Sequence, residues 1–589
     1  MAKQYWLYWM FIGATMVLMA SVATAQTGSI RGTVVDASTG AGIVGATIRV
    51  ATLGNGRVVA GAITNQNGRY HIDDIPAGSY SIEYSSIGFA TDRTDSVRIV
   101  DGAQIAERIE LDEQEVGLGS VVVSASRKTE RALDAPASVW VADRRRIDQT
   151  AAITPADHLR GVAGVDMAQK GVMQTEVVAR GFSNVFSGSL LTLADGRTTG
   201  VPSLRANIPY LIPVVNDDIE RLELVRGPGS ALFGPNAANG VLNIVTRSPF
   251  ASQGTSLQLS AGSNELFHGE VRHADVIGER FGFKISGQYM RALDWPFIDS
   301  VEVSERATAI ANGEHADTLR IGKRDPVSER FGGEARMDFL VGDNGSITLS
   351  GGFNQAARAI DLTSLGAAQA VDWRYSYFSA RTDIGRFMLQ GFFNASDAGE
   401  TYLLRSGNRI VDRSQQIGAR AQHASVIKDI ADLTYGADLT LTRPNTDSTI
   451  TGRNETNDDI NEIGAYLQSE SRFFDDRLSL VLAGRIDHHN RIEDLVFSPR
   501  AALAYKPDVG QQVRLTYNQA YSTPTTNDLF LDLVASSNPF GFPDPYAIGL
   551  RVSGMPLTGY QFRRDEAGLY FRSPFARGQD IPVAATASL

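Results

Sequence analysis

The chain of 589 residues contains no cysteine. That absence excludes disulfides, thiol chemistry and cysteine-ligated zinc, and it fits an oxidising compartment. An excess of positive charge is missing as well: 55 Lys and Arg face 66 Asp and Glu, for a net charge of −11. No nucleic-acid partner is expected, because phosphate contacts need a basic face. Histidine is scarce, with 8 in the chain, and none has zinc-ligand spacing. His488 and His489 are adjacent on a strand pattern, so they point to opposite faces and make poor co-ligands. No serine–histidine–aspartate set can be placed. We therefore expect no catalytic residue, no metal and no cofactor, and read the chain as something other than an enzyme.

Long apolar runs are lacking too, with one exception. Lys3 gives a positive start, Tyr5 to Ala20 is almost wholly apolar, and Ser21-Val22-Ala23-Thr24-Ala25 supplies small residues at a cleavage site. Residues 1–25 read as an export signal, with the mature chain starting at Gln26. Beyond it no stretch is long enough for a transmembrane helix. If the exported chain enters a membrane it must do so as a β-barrel, the other structure that satisfies its own backbone in lipid. The length is also too great for one ordinary core.

Residues 27–113 read as a small β-sandwich. Ser29–Asp36 is a short strand, and Ala46–Val50 alternates. Asn67-Gly68 signals a hairpin, after which Tyr70 and Ile72 share a face. Ile75-Pro76-Ala77-Gly78 is a further turn, after which Tyr80, Ile82 and Tyr84 share a face. His71 is the only histidine there and reads as structural. Residues 114–130 form a polar linker that contains the β-prone run Gly119-Ser120-Val121-Val122-Val123-Ser124-Ala125. That run reads either as a strand of a neighbouring domain or as an exposed segment that joins a partner's sheet edge.

Residues 131–248 read as a compact mixed domain. Ile147 to Leu159 has helical patches, with Pro155 in the first turn of a helix. Asp195-Gly196 is a tight hairpin. The stretch IERLELVRGPGSALFGPNAANGVLNIVTR, residues 219–247, invites a phosphate-loop reading and fails it. Its glycines are interrupted by prolines, no lysine follows, and they lead into a strand rather than a helix. A close-packed corner suits it better, with glycines for close approach and positive φ and prolines for stiffness.

From about residue 253 the period becomes two. In Arg477–Ile486 the apolar side chains 478, 480, 482 and 486 share a face, with Ser479 and Arg485 on the other; 512–518, 281–286 and 335–339 behave alike. The alternate face is charged, and short turns such as 474–477 and 506–508 interleave with long stretches such as 296–326. That is the pattern of a transmembrane barrel with a wet interior.

Together these segments resemble a TonB-dependent outer-membrane receptor. The 27–113 pattern GTVVDASTG…GATIRV…TNQNGRYHIDDIPAGSYSIEYSSIGF resembles the carboxypeptidase-regulatory-like, transthyretin-type sandwich. VVVSASRKTERALDAPASVWV is similar to the segment with the TonB box, and 219–247 to the end of the plug. ITPADHLRGVAGV and VVARGFSN…LTLADGR resemble the plug interior, and NEIGAYLQSESRFFDDRLSLVLAGRIDHH…FSPRAALAYKP…VRLTYNQAYSTPTTNDLF the middle barrel strands. Asn239 stands where the family usually has glycine, and asparagine also tolerates left-handed backbone. The resemblance implies a mainly β chain: signal peptide 1–25, sandwich 27–113, linker with TonB box 114–130, mixed α/β plug 131–248, and an antiparallel transmembrane barrel 249–589. The family barrel has about twenty-two strands. About thirteen are legible here, and the chain ends Ala584 to Leu589 without the usual terminal aromatic, so a truncated barrel is expected.

The function so implied is energy-coupled uptake of a scarce ligand (glycan, peptide, siderophore or vitamin) through the bacterial outer membrane. The alternative is a receptor fragment that senses or binds ligand without transport. Expected partners are TonB of the TonB–ExbB–ExbD complex, outer-membrane lipid and a surface lipoprotein. Ser120, Val121, Val122, Val123 and Ser124 are the expected TonB contact. Arg180, Phe182, Asn184, Asp195 and Arg197 are the candidate ligand residues, on the premise that their loops face outward. Glu220, Glu223 and Arg226 are candidate plug–barrel contacts.

Overall fold

The computed structural model describes residues 27–582 except 38–39, 41, 54–57, 66, 87–88, 90, 113–120, 123–129, 132–134, 182–187, 189, 343, 364, 428–429, 475–476, 508–510, 537–549, 556–560, 567 and 573–579. The expected signal peptide lies outside these residues. The chain divides into two compact units, Met1–Gly117 and Leu118–Leu589.

The first unit is a sandwich of seven strands: β1 (Thr27–Asp36), β2 (Thr47–Thr52), β3 (Val58–Ile63), β4 (Arg69–Pro76), β5 (Gly78–Ser85), β6 (Asp92–Ile99) and β7 (Gln104–Leu111). One sheet has the order β4-β1-β7 and the other β3-β2-β5-β6. Tyr70, Ile72, Tyr80, Ile82 and Tyr84 all face the core between the sheets, joined by Ile30, Val34, Ile48 and Val50. Each such side chain contributes about 1.5–3 kcal/mol by leaving water. The Tyr70 and Tyr84 hydroxyls lie 3.1 Å apart, and Tyr84 donates to Glu107 Oε2 at 2.6 Å. The Asn67-Gly68 turn is present but is not a hairpin, because β3 and β4 belong to different sheets. Asn65 Oδ1 accepts from the amides of Asn67 and Arg69, both at 3.0 Å, which turns the chain between layers. Gly68 has φ +72°, and a Cβ there would meet the Val34 carbonyl at 2.3 Å.

The second unit holds a folded inner domain and a large sheet. The inner domain is built on five strands in the order Ser138–Ala142, Ile219–Arg226, Gly240–Thr246, Leu190–Ala194 and Arg197–Thr198, with a separate hairpin of Val165–Gln169 and Thr175–Ala179. Leu222, Leu224, Leu242 and Ile244 carry its core. The helical patch resolves into a short helix, Arg144–Asp148, and a 3-10 turn, Pro155–Leu159, which is fixed by a capping box between Thr154 and Asp157. Asp195 and Gly196 are the two left-handed residues of a tight hairpin, with Ala194 opposite Arg197. In the glycine-rich stretch a short helix, Ser230–Phe233, separates the two strands. Gly227 and Gly234 have positive φ, and a Cβ on them would press on the guanidinium groups of Arg180 and Arg485. Asn239 is not left-handed; the left-handed asparagine is Asn236, at φ 70°.

The large sheet has 14 strands, antiparallel between neighbours, running from Gly254–Gly262 to Val513–Asn518. Strands after Asn518 pair among themselves, Asp532–Ser536 with Leu550–Ser553 and Gln561–Asp565 with Gly568–Arg572. One end of the sheet carries short turns, such as those between Ile277 and Phe281, Val341 and Gly345, and Ile384 and Phe387. The other end carries the long connections Leu293 to Val327, Asp397 to Gln415 and Arg443 to Ile460. The first of these contains a helix, Ser300–Ala311, started by Asp299, whose side chain accepts from the Val301 amide.

Along these strands the usual burial is inverted. Ile285 is 57% exposed and Lys284 beside it 2%; Leu482 and Ile486 are each 51% exposed, and Arg485 between them 1%. An apolar outer face around a charged inner face belongs to a sheet with lipid outside.

Candidate functional site: the interface between inner domain and sheet

The inner domain is held by charge at the short-turn end. Buried Asp218 accepts from Arg272 Nε at 2.7 Å and from Lys284 Nζ. Lys284 also donates to Thr246 Oγ1 at 2.9 Å. Asp195 accepts from the Thr246 amide and hydroxyl and pairs with Arg336 at 3.5 Å. Burial by itself would raise the Asp195 carboxyl, but Arg336, Lys284 and the two Thr246 bonds outweigh it and hold it below the ordinary range. Its neighbour Gly196 abuts Gln390, whose amide donates to the Asp195 carbonyl at 3.0 Å.

Midway along the strands, Arg197 is buried and donates to Tyr375 Oη at 2.9 Å and Asn394 Oδ1 at 3.1 Å, with its guanidinium 3.7 Å from the Tyr377 ring centre. Asn354 donates to the carbonyls of Tyr210 and Ile212, and Arg330 to those of Tyr210 and Ile153. At the long-loop end, Tyr210 donates to Asp361, and Gln174 exchanges two bonds with Leu362 backbone at 2.7 and 3.1 Å. The Val172 amide donates to Asp294 Oδ1 at 3.1 Å, and Arg205 makes a two-pronged pair with Glu462 at 2.7 and 3.2 Å.

This geometry relocates the candidate ligand residues. The Asp195-Gly196-Arg197 turn points to the short-turn end, and its side chains are engaged by the sheet wall. Arg180 is left-handed, and its guanidinium lies against Gly227; Phe182 and Asn184 lie outside the described residues. The segments that reach the long-loop end are 170–174, 201–210 and 235–236. Sequence reasoning missed them because nothing local tells which end of a hairpin meets which end of a distant sheet.

The candidate interface charges are partly relocated too. Buried Glu223 accepts from Arg221 Nε at 2.7 Å and from Asn243 Nδ2 at 3.3 Å, both inside the inner domain. Arg226 donates to the Ala163 carbonyl and Ser138 Oγ, each at 2.8 Å. Glu220 is partly buried on the same strand. The principal carboxylates at the wall are Asp195 and Asp218.

A cavity of about 90 Å³ lies between Thr192, Thr198 and Asn207 of the inner domain and Arg420, Thr440 and Arg485 of the wall, with room for several waters. Of the expected TonB contact, Val121–Val122 is a short strand antiparallel to Glu130–Arg131, with Val121 opposite Arg131. Ser120, Val123 and Ser124 lie outside the described residues. His489 is buried and His488 exposed, as their alternation requires. Among the described residues no group of three His, Asp or Glu is placed to hold a metal.

Comparison with known proteins agrees with this architecture. The family described as "Carboxypeptidase regulatory-like domain" matches residues 29–112, "TonB-dependent Receptor Plug Domain" residues 131–241, and "TonB dependent receptor-like, beta-barrel" residues 305–561. The vitamin B12 transporter BtuB of Vibrio vulnificus is 28% identical over 221 residues, covering 37% of this chain and 34% of that protein. BtuB of Vibrio cholerae is 32% identical over 163 residues, covering 27% and 26%. The alignments thus span about a third or less of these relatives' length. Among solved structures, a variant of the ferric enterobactin receptor PfeA of Pseudomonas aeruginosa has a TM-score of 0.53 at 15% identity, over 74% of this chain and 68% of that one. The siderophore receptor PirA of Acinetobacter baumannii gives 0.51 at 15%, over 71% and 65%. At such identity the likeness is one of fold. These matches describe transport receptors rather than enzymes. With plug and barrel matched in order behind a regulatory-like sandwich, and with an apolar outer face around a charge-held inner domain, the chain belongs to the TonB-dependent receptor family of the bacterial outer membrane.

Proposed function

We propose that the protein takes up a scarce ligand through the outer membrane, driven by TonB. The observation that carries this reading is the plug's attachment to a lipid-facing sheet by polar groups buried inside it. Such bonds seal a pore at rest, and polar groups can exchange for water when the plug is pulled. Ligand meets the plug apices 170–174, 201–210 and 235–236 together with the long loops, including 294–326. The names of the relatives point to chelates and vitamins, and the ligand is of that scarce class or is a glycan or peptide.

TonB grips the segment Ser120 to Ser124 by strand addition. The strand Val121–Val122 supports this, because it already adopts an extended, paired backbone. Val122→Pro removes a backbone donor. It is expected to abolish TonB-dependent uptake while ligand binding to whole cells stays unchanged. Undiminished uptake by that variant would move the TonB contact elsewhere. Failure of cells with the parent protein to take up any of a panel of chelates, vitamins, glycans and peptides in a TonB-dependent way would favour a sensing role.

A further inference from the structure

We infer that the solute path opens along one particular side of the plug: between its 190–207 segment and the wall formed by Gln415–Ile427, Ala431–Arg443, Ile460–Phe473 and Leu478–His489. This inference rests on the proposed transport role and names the route. The two sides of the plug are held differently. Against the strands from Gly254–Gly262 to Phe387–Asp397, plug and wall supply each other's partners. Asp218 pairs with both Arg272 and Lys284, and Asn354 and Arg330 bond plug carbonyls. Moving the plug off that wall takes the shared carboxylate from two buried cations and leaves Lys284 only its longer contact with Glu334 at 3.8 Å, which is unfavourable.

On the other side the central charges of the wall, Arg485, Asp487 and Asp438, satisfy one another. Arg485 Nε bonds Asp487 at 2.8 and 2.9 Å, while its two terminal nitrogens bond Asp438 at 2.7 and 2.6 Å. These pairs lie wholly within the sheet and persist if the plug withdraws. The cavity lies on this side, and its lining sets Asn207, Asp438 and Arg485, with both signs of charge, beside apolar Leu190, Phe233 and Phe392. It suits a solute that carries polar groups on an apolar frame. The charged clasp that spans plug and wall is Arg205, which holds Glu462 and Thr523 at the rim; the other ties here are neutral, Thr198 to Gln416 at 2.8 Å and the Ser203 amide to Ser414 at 3.2 Å. Release of Arg205 widens the cavity toward the long-loop end.

The absence of cysteine makes the route directly testable, because each introduced thiol is the only one. Thr440→Cys places a thiol in the cavity wall. Ser328→Cys places one near the same end on the opposite wall, where the serine donates to Asp294 at 3.3 Å. A small cationic methanethiosulfonate reagent is applied to two preparations, cells with and without TonB and purified receptor in detergent across a urea series. We expect Thr440→Cys to react roughly tenfold faster than Ser328→Cys in energised cells, and at lower urea in detergent, as local opening predicts. Equal rates, or faster reaction at Ser328→Cys, in both preparations would overturn the route. The preference in urea without TonB dependence in cells would keep the route and reject TonB-driven transport instead.

Discussion

The sandwich and the large sheet are written with the same alternation and meet opposite solvents. In β5, Tyr80, Ile82 and Tyr84 turn to a dry core and Glu83 to water. In Phe281–Leu293, Lys284 and Ser286 are buried and Ile285 is exposed. A period of two therefore fixes the strand and its two faces, not which face is inside. What separates the two cases is the polar face. On the sandwich it carries scattered exposed charges. On the large sheet it carries cations and carboxylates that find partners on the plug or within the sheet itself. The comparison teaches that buried charge, repeated strand after strand, is the mark of an enclosed polar space.

The sharpest way to break that comparison is to remove a partner from the enclosed space. Asp218→Asn takes their shared carboxylate from buried Arg272 and Lys284, leaving Lys284 only the longer Glu334 contact, for a loss of about 3–5 kcal/mol in plug stability. Urea unfolding of the purified receptor, with and without limited proteolysis of the plug, measures it. A shift no larger than that of Glu220→Gln would show that the plug is not held by this pair.

The apolar residues give the next contrast. Ile82→Ala is expected to destabilise the sandwich by about 2–5 kcal/mol, the cost of a large-to-small change in a packed core. Ile285→Ala should have little effect, because its neighbour is lipid or detergent. Ile285→Arg, in turn, should lower barrel stability by about 2–4 kcal/mol if the site lies at the bilayer midplane. Thermal melts of each variant in the same detergent test the pair. A large effect of Ile285→Ala would mean that this face is packed against protein.

Acid offers a way to sharpen the plug side alone. The Asp195 carboxyl is held below its ordinary value, because Arg336, Lys284 and Thr246 together overcome the effect of burial. A lowered folded value means that its contribution is fully present above about pH 4, the unfolded range. It is lost as the pH falls from there through the folded value. Asp195→Asn should therefore be less stable than the parent at neutral pH and converge with it in acid. Parallel curves down to the lowest pH tested would show that the carboxyl is not tied to the wall.

Much of the architecture was legible because it is local. The hairpin at Asp195-Gly196, the shared faces of Tyr80, Ile82 and Tyr84, and the two-faced strands all follow from backbone preference and spacing. The Asn67-Gly68 turn was legible as a turn but not as a crossing between sheets, since the same dipeptide serves both. The site was less legible. Arg197 looked like an outward-facing arginine beside a turn. It is buried because a wall some two hundred residues later in the chain supplies Tyr375 and Asn394. Likewise Asp218 gains its meaning only from Arg272 and Lys284, and no spacing within 131–248 announces them.

The smallest expected effect isolates the plug–wall contact at a single atom. Gly196 and Gly278 both have positive φ, at +84° and +68°. An alanine at either pays the same kind of backbone penalty, about 1 kcal/mol. At Gly278, in a short turn of the sheet, a Cβ would meet nothing within 4 Å. At Gly196 it would meet Gln390 Oε1 at 2.9 Å, while the same Gln390 side chain donates to the Asp195 carbonyl. Gly196→Ala should thus exceed Gly278→Ala by roughly the worth of that one hydrogen bond, about 0.5–1.5 kcal/mol. The excess should vanish in the Gln390→Ala background, where the obstructing oxygen is gone. Melting curves of the two single variants and the two doubles form a cycle that reads this difference. Equal losses for the two glycines in the parent background would mean that the hairpin tip does not press on the wall, and the short-turn end of the plug would then be held by its ion pairs alone.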